Sequence, residues 1–178
     1  MPLIIEDGTG IANADSFISE ADARDYWTDR STPWPDDIAE GEGNLRQAFD
    51  YLNIAYRWPG QPTTTTQRGP WPRVGVPSGR RYFPSDAIPA QVIQAQLVLA
   101  IEAQNRSLLV RPDVSAERVV IEETKALKGI SKSIKYAAPS VDSLSGLRRF
   151  PVIDRLLLGL VELGANGDFA SVPLRRVL

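Results

Sequence analysis

The 178-residue chain has no cysteine, no histidine and a single methionine. Without cysteine there can be no disulfide, thiolate nucleophile or thiolate metal site, and such a composition fits a reducing compartment. Without histidine the chain lacks the commonest general base and the commonest metal ligand together. Long apolar runs are also missing: none approaches the roughly 18 residues of a membrane-spanning helix, and no signal peptide is read at the start of the chain. Net charge is nearly absent, at −2 from 20 basic and 22 acidic residues. That balance argues against a protein whose main task is gripping DNA. The 43% hydrophobic and 24% charged residues are ordinary for a globular chain. At this length one domain is expected, burying about 70% of its unfolded surface.

The small net charge conceals an asymmetry. Residues 1–50 hold 12 acids and 3 bases, a net of −9, while residues 51–178 hold 10 acids and 17 bases, a net of +7. Two solvated faces that partly neutralise each other on folding would explain it. So would head-to-tail self-association, an acidic face of one copy meeting a basic face of the next.

What is present centres on Leu45–Val76, LRQAFDYLNIAYRWPGQPTTTTQRGPWPRVGV. Leu45, Ala48, Phe49, Leu52, Ala55 and Tyr56 recur at steps of three and four, which predicts an amphipathic helix from about Gly43 to Trp58. Pro59-Gly60 ends it. A Pro/Gly/Thr loop over residues 59–85 follows, carrying an exposed Trp71–Arg73 pair; loops of that length usually carry function or bind a partner. Upstream, Leu3-Ile4-Ile5 reads as a strand or arm, and Ser19-Glu20-Ala21-Asp22 as a capping box opening a helix to about Asp29. Asp36 to Gly43 reads as a short acidic connection with room for one helical turn.

Downstream, Pro89 falls in the first turn of a helix over 90–105, apolar nearly all round and so buried on more than one side. Arg111-Pro112-Asp113 breaks it. Glu117–Glu123 and Ile130–Tyr136, with Leu127-Lys128-Gly129 between, predict a β-hairpin. Ala137 to Leu147 reads as loop. Pro151 opens a last helix with a stripe of Val152, Ile153, Leu156, Leu157, Leu160, Val161 and Leu163 and a C-cap at Gly164. The expected fold is mainly α: a small bundle of about four helices with a β-hairpin insertion, an N-terminal arm and a C-terminal tail. In one domain, residues 1–14 are the arm, 15–110 the helical core, 114–138 the hairpin, 151–164 the closing helix and 165–178 the tail.

No active site can be assembled. The acids Asp36, Asp37, Glu40 and Glu42 match no EF-hand spacing. Ser131-Lys132-Ser133 puts its serines opposite the lysine on a strand, so no serine–lysine pair forms. No phosphate-binding glycine fingerprint appears. The chain is expected not to be an enzyme and to need no cofactor or metal. Nucleic-acid binding has more support: Arg73, Arg80 and Arg81 are interleaved with Trp71, Tyr82 and Phe83 over a stretch free of acids, the pairing that single-strand binders use. A packed Trp71 with solvated arginines is the plainer reading of the same residues. The C-terminal Leu174-Arg175-Arg176-Val177-Leu178 is either frayed or a short peptide able to dock in a partner's groove.

Several motifs carry a family resemblance. Glu6-Asp7-Gly8-Thr9-Gly10, Asn13-Ala14-Asp15-Ser16-Phe17, Asp50-Tyr51-Leu52, Tyr56-Arg57-Trp58 with Gly60, Trp71-Pro72-Arg73 with Gly75-Val76, Ile88-Pro89 with Val92 and Ala95, and Pro151 with Asp154-Arg155-Leu156-Leu157 appear in order. They resemble a family of tailed-phage and prophage proteins labelled DnaT-like single-stranded-DNA-binding proteins. The layout also resembles the head–tail connector, or adaptor, proteins of long-tailed phages. The latter resemblance implies a non-enzymatic structural protein of the virion neck, assembled in the bacterial cytoplasm. It also implies a dodecameric ring of identical subunits between the portal protein and a tail or neck protein, with DNA passing through the lumen unread and no membrane contact. Under it, Trp71, Arg73 and Leu174–Leu178 become candidate subunit or portal contacts. Under the DnaT-like alternative, Arg73, Arg80, Arg81 and Tyr82 become candidate nucleic-acid contacts. The acidic N-terminal third departs from a strong DNA-binding pattern.

Overall fold

In the computed structural model, the described residues are 1–109, 120–125, 132–136, 147 and 149–162. Helix α1 spans Glu20–Thr28, and its N-cap Ser19 hydroxyl accepts from the Asp22 N–H, the cap expected from the sequence. Helix α2 spans Ile38–Ala55, beginning five residues earlier than its apolar pattern predicts. The reason is Asp37: its carboxylate accepts from the Ala39 N–H and caps the helix, so the acidic connection is already the first turn. Gly41 does not break α2, because a close approach requires it. A Cβ there would lie 2.9 Å from Glu20 Oε1 and 3.0 Å from Trp34 Nε1. Helix α2 stops before Pro59 is reached. Tyr56 is already extended, and the Trp58 indole N–H turns back to donate to the Leu52 carbonyl.

Helix α3 spans Ala90–Asn105, with Pro89 at the N-cap. It packs along α2, while α1 lies against α2 and α4 against α3. The faces that meet bury Leu45, Ala48, Phe49 and Leu52 with Val92, Ala95, Leu99 and Ala100. Each large side chain there contributes about 1.5–3 kcal/mol of burial. Helix α3 is thus covered within its own chain, with Ile93, Val98 and Ile101 half-buried. One polar group sits in this core. Gln96 accepts from the Phe17 N–H and donates to Ser16 Oγ and the Leu45 carbonyl, stapling α3 to the N-terminal segment and to α2.

The arm is stitched into the fold rather than free. Glu6 N–H donates to the Ser16 carbonyl and Asp15 N–H to the Ile4 carbonyl. The buried Glu6 carboxylate accepts from the N–H groups of Gly8, Gly10 and Ile11. Gly8, at φ +103, runs so close to Asp86 that a Cβ would lie 2.1 Å from its carbonyl oxygen. The motif Glu6–Gly10 therefore builds a turn against the segment that leads into α3.

The expectation of a mainly α bundle is overturned. The described residues hold four helices and three two-stranded antiparallel sheets, and the only long helix pair is α2–α3. Two of those sheets lie in the stretch read as loop: β1 (Gln61–Pro62) pairs with β2 (Arg73–Val74), and β3 (Pro77–Ser78) with β4 (Arg81–Tyr82). Strands this short carry no alternating pattern, so periodicity misses them. The third is β5 (Val120–Lys125) with β6 (Lys132–Tyr136), where a hairpin is expected, with a register shift between Val120 and Glu122. Helix α4, Pro151–Leu156, is less than half the predicted length and gives way to turns through Gly159 at φ +88. Val152, assigned to its buried stripe, is 62% exposed, while Ile153, Leu157, Leu160 and Val161 are buried. The breaker at residues 111–113, the hairpin loop at 127–129, most of the loop at 137–147, the cap at Gly164 and the tail at 165–178 lie outside the described residues.

Candidate nucleic-acid interface

The segment after α2 has a buried root and an exposed tip. Its root is aromatic. Trp71 is 0% exposed and meets Trp58 edge-on at 6.1 Å and Phe83 at 5.9 Å. The row continues from Trp58 to Tyr56, from Tyr56 to Tyr51, and from Tyr51 to Phe150 at the foot of α4. Edge-to-face contacts of this kind add about 0.5–1.5 kcal/mol each beyond area burial.

Arg73 is buried beside Trp71. Its Nε donates to the Pro59 carbonyl at 2.7 Å, Nη1 to Pro70 at 3.2 Å, and Nη2 to Trp58 at 3.2 Å and Gly60 at 2.9 Å. The guanidinium fork thus ties the exit of α2 to strand β2, satisfying three successive carbonyls after α2 and that of Pro70 before β2. Burial lowers the Arg73 pKa from its ordinary value, opposed by the Glu162 charge. Of the two sequence readings, an exposed Trp71–Arg73 pair or a packed Trp71 with solvated arginines, the structure has the packed Trp71, and it buries Arg73 as well. Trp71 cannot stack a base from there, and Arg73 has its donors engaged.

Two further arginines of this region are also taken up. Arg57 pairs with Glu162 at 2.6 Å, and Arg68 pairs with Asp50 at 2.9 Å beside the Phe49 ring. Below the root, the Tyr56 hydroxyl donates to Asp154 at 2.7 Å, joining α2 to α4. Burial, then the hydrogen bond to Asp154, raises the Tyr56 pKa; burial, then the Asp154 charge, pushes Tyr51 up to about 12.

The tip is hairpin β3–β4. Gly79 and Arg80 form its two-residue loop, and Gly79 has φ +61, the positive value a tight hairpin needs at its first loop position. Phe83 N–H donates to the Val76 carbonyl, extending the ladder to the root, where buried Val76 and half-buried Phe83 anchor it. Beyond that anchor Arg80 and Arg81 are exposed, and Tyr82 is 71% exposed. Among the described residues neither arginine makes an ion pair. Of the candidate nucleic-acid contacts, then, the structure brings together Arg80, Arg81 and Tyr82 and withdraws Arg73. Leu174–Leu178 lie outside the described residues.

Among the described residues no group of three acidic side chains could hold a metal ion, and no helix is long and apolar enough to cross a membrane. The family described as "Putative DnaT-like ssDNA binding protein" matches residues 1–177, and the chain belongs to it. No curated protein and no solved structure matches the chain.

Proposed function

We propose that the protein is a non-enzymatic single-stranded-DNA-binding protein of the DnaT-like kind, and that hairpin β3–β4 is its contact element. The observation that carries this reading is the presentation of Arg80, Arg81 and Tyr82 together at an exposed tip, with no acid of the described chain paired to them. The family description supports it. The arginines would meet backbone phosphates, and the Tyr82 ring would stack a base with little regard to sequence. Two cations give modest, salt-sensitive affinity, with a log–log salt slope of about −1.4 for a single strand. Fluorescence anisotropy with labelled oligo-dT over a range of salt tests this. Binding that weakens at least tenfold in Arg80→Ala/Arg81→Ala supports it, and undetectable binding or an unchanged variant overturns it.

A second reading is the head–tail adaptor ring, with portal and tail proteins as neighbours and the virion neck as its location. It is supported by the fate of the loop arginines: Arg57, Arg68 and Arg73 are spent on contacts inside the chain, so no continuous basic surface remains there. Electron microscopy of purified virions separates the two. Ring density occupied by this chain in the neck supports the adaptor, and a virion lacking the chain sinks it.

A further inference from the structure

The chain has sixteen arginines but only four lysines, and all four lysines fall within eleven residues, at Lys125, Lys128, Lys132 and Lys135. The two cations are not equivalent. Arginine's planar fork suits fixed partners, and here Arg24, Arg46, Arg57, Arg68 and Arg73 engage carboxylates and carbonyls of their own chain. Lysine is a compact charge on a flexible stem, able to hold an anion without a fixed geometry. No acid falls within residues 124–141, so the lysine charge has no counter-charge nearby in sequence.

The backbone sharpens this clustering. Strands β5 and β6 pair in a register that sets Lys125 opposite Lys132, on the last rung before the connecting residues 126–131 that include Lys128. Lys135 is set opposite Glu122 and so has a cross-strand counter-charge. The Lys125–Lys132 rung has none; the nearest strand acid, Glu123, is set opposite Ile134 two rungs away. Like charges directly opposite one another weaken a sheet. A bound anion would turn that cost into attraction. We propose that this end of the β5–β6 ribbon is a second phosphate-binding element, its ligand the backbone of the DNA strand held by hairpin β3–β4. Lys125, Lys128 and Lys132 would share strand phosphates, as binders without sequence preference follow a backbone with successive cations. The proposal rests on the single-stranded-DNA reading and adds a contact to it. Hairpin β3–β4 alone gives a log–log salt slope of about −1.4, and three further lysines bring it to about −3.5.

Lysines also guard the open edges of small sheets against pairing with other chains. Anisotropy with labelled oligo-dT over a range of salt, on the full chain, tells the two roles apart. Lys125→Ala/Lys128→Ala/Lys132→Ala should bind at least tenfold more weakly, with the slope falling from about −3.5 to about −1.4. The corresponding Lys→Arg triple variant, which keeps the charge, should bind as the wild type does; an equal loss there overturns the role of charge. Circular dichroism reports folding and light scattering reports aggregation. If the alanine variant unfolds, Lys125→Gln and Lys132→Gln singly carry the test, each reducing the slope by about 0.7. Unchanged affinity and slope in the folded alanine variant, with or without aggregation, overturns the second element. The DNA reading then still stands if Arg80→Ala/Arg81→Ala weakens binding. Loss in the lysine variant with the arginine variant unchanged supports the lysine end and removes hairpin β3–β4 as the contact. No binding by the wild type overturns both.

Discussion

Trp71–Arg73 and Arg80–Tyr82 lie within twelve residues of one another and use the same chemistry, an aromatic ring and arginine, for opposite ends. In the first, the ring is wholly buried and the guanidinium is consumed by four backbone carbonyls. In the second, ring and guanidinium groups both face solvent. The first kind of arginine stabilises the fold and is unavailable to a ligand. The second contributes little to folding and keeps its charge for a partner. Arginine content of a loop therefore says little about binding until the carbonyls nearby have been counted.

That contrast can be broken or sharpened, beginning where the effect is largest. Trp71→Ala removes the ring that Trp58 and Phe83 pack against, and should cost about 3–5 kcal/mol in a urea unfolding curve. A loss below about 1 kcal/mol would contradict its place at the centre of the root. Arg73→Ala leaves four carbonyls without their donor and should cost about 3 kcal/mol. Arg73→Lys should recover only part of that, since an ammonium cannot reproduce the planar fork. Full recovery by lysine, measured in the same way, would show that charge rather than fork geometry matters.

Alkaline pH should attack the same root. Tyr51 and Tyr56 have raised pKa values in the folded chain, so their neutral forms are favoured there. The unfolded chain ionises at the ordinary value of 10.0, so stability is fully present below that pH and falls as pH rises toward the folded Tyr51 value of about 12. Tyrosinate absorbance should rise later in native protein than in urea; coincident curves would refute the burial. Tyr56→Phe should cost about 1–2 kcal/mol by removing the donor to Asp154, and should narrow this alkaline difference. The smallest stability effects belong to the tip. Arg80→Ala/Arg81→Ala and Tyr82→Ala should change folding stability by less than about 0.5 kcal/mol. A larger change would mean that the hairpin tip is part of the core after all.

Much of the helical frame was legible. The step of three and four from Leu45 to Leu52, the serine cap before α1, and the apolar run of α3 each report a local rule that the chain obeys. The two short hairpins were not legible, because a two-residue strand has no period. Nor was the length of the last helix: Gly159 at φ +88 lies within the turns that follow it, where the leucine pattern simply continues. Of the candidate site, the types of residue were readable and their exposure was not. Gln96, which ties three segments together, carried no signal at all, since a glutamine on an apolar helix reads as a solvated position.

The sequence by itself determined that the chain must form its site without histidine or cysteine, that its acids and bases are divided along its length, and where α2 and α3 would bury their faces. Those properties are local or compositional, and no neighbour can alter them. Only the tertiary structure decided which arginines are free. That depends on where the carbonyls of Trp58, Pro59, Gly60 and Pro70 converge and where Glu162 and Asp50 come to rest. Partners distant in the chain satisfy or leave unsatisfied a charge, and that pairing is a property of the folded molecule alone.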